Sequence, residues 1–152
     1  MPEATPSRRV QELEVNLDRE TTLYETLADI ARKLALALEH HDLDALTELL
    51  ERKKSVIAEL MPVAETTRRL RRELAEQREV PADVQARASG ALERARGALE
   101  VLLGLERANE ESLQAATSSM REDLIEVARG RRLLEGYRGT RETEPLFMDK
   151  RR

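Results

Sequence analysis

His40-His41 followed by Asp42 and Asp44 is the one cluster in this chain whose residue types suit a metal ion. Metal ligands must converge, whereas a helix turn sends these side chains in diverging directions and supplies no third donor. No metal site is expected there. A glycine-rich phosphate loop, a GxSxG elbow and an HExxH pair are all absent, and no strand pattern exists to present them. With no cysteine, disulfide and thiolate chemistry are also missing. The expectation is a protein with no catalytic residues and no cofactor.

Charge offers the next candidates. Arg68, Arg69, Arg71 and Arg72 form one basic patch, and Arg129, Arg131 and Arg132 a second. Glu65, Glu73 and Glu76 lie close to the first, and the net charge is −4. Phosphate binding needs a concentrated positive field, and single-strand binding needs interleaved aromatics. The only aromatics are Tyr24, Tyr137 and Phe147. A solvated face is the simpler reading, and no nucleic-acid partner is expected. Residues 1–9 carry no apolar signal core and no 18-residue uncharged run occurs, so a soluble, cytoplasmic protein without membrane insertion is expected.

Hydrophobic residues make up 40% of the 152 positions and charged residues 37%, a balance that suits solvated helices sharing an aliphatic seam. The expected fold is all-α: an elongated antiparallel bundle of three long helices, the third broken or extended into a C-terminal amphipathic segment. Helices are expected over about 6–40, 43–78 and 81–137, within one bundle domain over 1–138, followed by a flexible polar tail over 139–152. Thr5 and Asp42 read as N-caps, Pro6 and Pro81 as first helical residues, and Asp44 and Asp83 as first-turn carboxylates favoured by the helix dipole. Pro62 lies inside the second helix, where it removes an amide donor and should cause a kink or a brief restart.

The seam of the first helix reads Val10, Leu13, Leu17, Glu20, Tyr24, Leu27, Ala31, Leu34, Leu38, broken only by Glu20. That of the third reads Leu92, Ala95, Leu99, Leu102, Glu106, Asn109, Leu113, Ala116, Met120. Antiparallel alignment about Val80 pairs Thr67 with Leu92, Ala64 with Ala95, Leu60 with Leu99, Ile57 with Leu102, Lys53 with Glu106, Leu50 with Asn109 and Leu46 with Leu113. Alignment about the first turn brings Asp29 to the same level. One structural polar layer would then hold Asp29, Lys53, Glu106 and Asn109, fixing register as a polar seam residue does in coiled coils. The alternative is that Lys53 snorkels to water.

By this register the scaffold pairing ends near Thr117, and the third helix overhangs by about five turns. Thr117-Ser118-Ser119, weak helix formers, could hinge there. Beyond them Met120, Leu124, Val127 and Leu134 continue the seam, with Ile125, Leu133 and Tyr137 widening it. Such a stripe must fold back, dimerise or bind something else. Gly90, Gly97 and Gly104, spaced by seven, mark either a face for close helix approach or a neutral solvent face.

The order of residues resembles the FlgN family of flagellar type III export chaperones. The matching pieces are Leu38-Glu39-His40-His41-Asp42-Leu43-Asp44-Ala45-Leu46, then Lys53 with Val56, Ile57 and Leu60, then Leu102-Leu103 with Glu106, Asn109 and Leu113, and the ending Tyr137 with Pro145-Leu146-Phe147-Met148-Asp149-Lys150. The arginine run of the second helix has no place in that pattern. The resemblance implies a cytosolic, non-catalytic helical chaperone. It would clasp C-terminal helices of hook-filament junction (hook-associated) proteins and deliver them to the export apparatus, as a monomer or weak homodimer. In this sequence the corresponding partner-binding candidates are Met120, Leu124, Val127, Leu134 and Tyr137. Two other readings compete: a structural or regulatory coiled coil that self-associates through its C-terminal helix, and an electrostatic adaptor acting through the arginine patches.

Overall fold

The computed structural model describes residues 6–77 and 80–141, with side chains for 7–77 and 80–136. Three helices follow one another: α1 (Pro6–Glu39), α2 (Leu43–Ala75) and α3 (Ala82–Arg141). Among the described residues there is no strand, and the fold is an all-α helical bundle. The chain divides into two compact units, Met1–Glu111 and Ser112–Arg152. The first holds α1, α2 and the N-terminal part of α3, and the second the rest of α3. The Thr5 cap and the tail ending Pro145 to Lys150 lie outside the described residues.

The turn between α1 and α2 is built from His40, His41 and Asp42. His41 takes φ 52, in the left-handed region, and its backbone N–H donates to the Leu38 carbonyl at 3.3 Å while that of Asp42 donates to Ala37 at 3.0 Å. This pair of bonds is a Schellman closure, with histidine where glycine usually stands. Asp42 Oδ1 then accepts from the Ala45 backbone N–H at 3.1 Å and caps α2, with Asp44 in the first turn. The residues that looked most like metal ligands are therefore a helix stop and a helix start. At the other end, α3 begins at Ala82, and the Pro81 carbonyl accepts from Gln85 N at 3.0 Å.

Neither of two places where a break was expected interrupts its helix. α2 continues through Pro62 without a restart, and α3 is helical through Thr117-Ser118-Ser119, so the third helix is extended rather than broken. Pro62 is exposed, as are Thr117, Ser118 and Ser119. α3 also runs to Arg141, past the expected end near 137.

In the first unit α1 buries Val10, Leu13, Leu17, Glu20, Tyr24, Leu27, Ala31 and Leu34 of its expected seam, together with Leu23, Ile30 and Ala37 on a flanking line. A helix facing two neighbours needs more than a two-position stripe, and α1 supplies a third position per heptad. The core has two parts. Leu23, Leu27, Ile30, Leu34, Val56, Val63 and Leu102 form one; Leu13, Leu17, Leu70, Ala91 and Ala95 form the other.

The seam of α2 departs from the expected one in alternate positions. Leu46, Lys53, Leu60 and Thr67 face inward as expected, but Leu49, Val56 and Val63 stand in place of Leu50, Ile57 and Ala64. Leu50 and Ile57 are exposed, and so is Leu113, the expected partner of Leu46. The actual seam steps by three and four in strict alternation from Leu46 to Leu74, the heptad of a bundle helix.

Candidate partner-binding site

The polar layer of the first unit is built around α3. Lys53 Nζ donates to Glu106 Oε2 at 2.7 Å, with the two side chains 25% and 32% exposed. One turn on, Asn109 Nδ2 donates to the Ala31 carbonyl of α1 at 2.9 Å. Glu106 thus ties α3 to α2, and Asn109 ties it to α1. Asp29 is not a member: its carboxylate is exposed and pairs with Arg32 of its own helix at 3.1 Å. Asp29 lies two residues from both Leu27 and Ala31, about 200° around the helix, so its side chain leaves on the solvent side. At this level α1 contributes a backbone carbonyl instead.

A second polar pair lies deeper. Glu20, the break in the α1 seam, is buried, and Tyr24 Oη donates to its Oε1. Burial and the hydrogen bond to Glu20 both push the Tyr24 phenol pKa above its ordinary value of 10.0. Glu20 Oε2 is buried without a hydrogen-bond partner. The sequence signal for this pair was the i,i+4 spacing of Glu20 and Tyr24 within one seam. Arg94–Asp18 at 3.3 Å and Arg87–Glu14 at 3.8 Å join α3 to α1, but their arginines are more than half exposed and contribute little.

The arginines of α2 do not build a site: Arg68, Arg69, Arg71 and Arg72 are exposed and enter no ion pair with a described residue. Gly97 and Gly104 have open space where a Cβ would stand, so no element of the first unit uses the glycine line for close approach. Among the described residues no group of three or more His, Asp or Glu comes together as metal ligands, and no helix is long and apolar enough to cross a membrane.

Large apolar side chains are exposed in both units, among them Val15, Leu43 and Met61 in the first, but in the second unit they recur along the whole helix with no buried counterpart among the described residues. Leu113, Met120, Leu124, Ile125, Val127, Leu133 and Leu134 are all between 47% and 75% exposed, whereas the core of α1 stays below 10%. At 100° per residue Leu113, Met120, Leu124, Val127 and Leu134 share one line along the helix. Ile125 and Leu133 do not widen that line as expected, because each lies about 140° from its centre. The side chain of Tyr137 lies outside the described residues. The stripe offers apolar contact at a three-four repeat, the geometry a partner helix can match, and no cluster for bond-making chemistry.

The chain matches no protein-family model, no curated protein and no solved structure.

Proposed function

We propose that this protein is a non-catalytic export chaperone of the flagellar type III kind, which receives an amphipathic client helix on Leu113, Met120, Leu124, Val127 and Leu134. The observation that carries the reading is the exposure of that line on a continuous helix, where large apolar side chains in water call for an occupant. The resemblance in residue order to the FlgN family supplies the client class: the C-terminal helices of hook-filament junction proteins. The three-helix unit would be the scaffold, stiffened at the Lys53–Glu106 and Asn109–Ala31 contacts.

Calorimetric titration of the full chain with C-terminal peptides of hook-filament junction proteins tests this. Binding should be seen with the native chain and lost in Leu124→Glu combined with Val127→Glu, while circular dichroism stays unchanged. No binding by the native chain would refute the client class. Binding unaffected by the substitutions would move the site off the stripe.

A further inference from the structure

The charges along the second unit say what covers the stripe when no client is present. In heptad terms Thr117, Leu124 and Arg131 occupy one seam position and Leu113, Met120, Val127 and Leu134 the other. The seam is therefore apolar except for the hydroxyl of Thr117, which donates to the Leu113 carbonyl of its own helix, and a guanidinium at Arg131. The residues beside it are Arg121 and Glu135 on one edge and Asp123 on the other. None of these charged side chains enters an ion pair with a described residue.

Two copies laid parallel and in register would place Arg131 against Arg131 in the seam. They would also set Asp123 near Ala128 and Gly130 near Glu135, with no opposite charges matched across the edges. Antiparallel copies behave differently. With Leu124 of each copy on Val127 of the other, Arg131 comes level with Met120 and reaches Asp123 of the second copy. Arg121 and Glu135 meet along the other edge. Helical side chains lean toward their own N-terminus, and in this arrangement the members of each pair lean toward one another. Twofold symmetry repeats every pair, and the methylenes of Arg131 lie over Met120.

We propose that residues 112–136 pair with the same segment of a second copy, antiparallel, through Leu124–Val127 contacts flanked by Asp123–Arg131 and Arg121–Glu135 ion pairs. The pairing does not depend on the export reading. Where that reading holds, client and second copy compete for one stripe, and client affinity falls as chaperone concentration rises.

Sedimentation of the full chain alone, over a range of concentrations, tests the pairing apart from any client. A concentration-dependent dimer is expected, and a monomer throughout would overturn the proposal. Asp123→Arg and Arg131→Glu should each weaken self-association on the order of tenfold or more, by setting like charges together. The double variant D123R/R131E restores the match and should recover most of the affinity; failure of that rescue would overturn the charge pairing. The chain has no cysteine, so Ser112→Cys carries a single spin label. Antiparallel copies place the two labels about 40 Å apart, from 1.5 Å per residue about a centre between Leu124 and Val127. A separation within about 20 Å, the distance of side-by-side parallel helices with their labels, would overturn the orientation.

Discussion

Lys53 and Glu106, 53 residues apart in sequence, meet at 2.7 Å, and Asn109 on the next turn of the same helix reaches the Ala31 carbonyl. One short stretch of α3 is thereby bonded to both of its neighbours. Hydrophobic contacts tolerate a slide along a helix; a point contact between charges does not, because a shift of one residue, about 1.5 Å along the axis with a 100° rotation, separates the pair.

Lys53→Met alone leaves the Glu106 carboxylate, two-thirds covered, without its partner, and should cost about 1 kcal/mol in urea unfolding. Glu106→Leu alone should cost a similar amount. The double substitution should recover much of the loss, because two apolar side chains can share the layer without desolvating charge. A double-mutant cycle showing no coupling would make the contact incidental.

Tyr24 gives a pH dependence with a defined sign. Its phenol is held neutral in the folded state, with a pKa above the ordinary 10.0, chiefly by burial and then by Glu20. In the unfolded chain it ionises near pH 10, so the unfolded state binds fewer protons than the folded one above that pH. Its stabilising contribution is fully present below pH 10 and is lost as pH rises further toward the folded pKa. Urea midpoints between pH 9 and 11 should fall in the native chain and fall less steeply in Tyr24→Phe. That variant should also be less stable at neutral pH, since Glu20 then loses its donor.

Glycine stands where this backbone does not need it, and histidine where glycine would serve. A Cβ at Gly97 meets nothing within 4 Å on a helical backbone, so Gly97→Ala should stabilise by roughly 0.5 to 1 kcal/mol. His41 has φ 52 at the Schellman position, and His41→Gly removes the left-handed penalty, for a gain of at most about 1 kcal/mol. Thermal melts of both variants check this, and a fall in Tm for Gly97→Ala would reveal a packing role for the glycine line.

The helix count, the α1 seam and the Lys53–Glu106 level could all be read from spacing, because each has a single solution. The α2 seam did not. Leu49-Leu50, Val56-Ile57 and Val63-Ala64 are adjacent apolar pairs, and either member satisfies the period; packing against α1 and α3 chose the first of each. Asp29 failed for a related reason: alignment about a turn fixes the height along a helix but not the angle around it. Thr117-Ser118-Ser119 are weak helix formers, yet propensity differences of a few tenths of a kcal/mol per residue do not interrupt a helix that has strong formers on both sides. The exposed apolar line of the second unit was legible because its period continues past Glu111.

The final prediction separates scaffold from stripe by truncation after Ser119. Every buried apolar residue among those described lies at or before Leu102, and both core clusters are complete within Met1–Glu111. Removing the rest deletes Met120, Leu124, Val127 and Leu134, all more than half exposed, so little transfer free energy is lost on folding. The truncated chain should therefore melt cooperatively within a few degrees of the native Tm. On the proposed function it should also lose client binding, because the apolar area a client would cover has gone. A client helix on that line would gain about 25 cal/mol per Å² of apolar surface covered, less the cost of association. Calorimetry at matched concentration decides between the outcomes. Undiminished affinity would place the client on the three-helix unit, and a collapsed melt would show that the second unit belongs to the folding core.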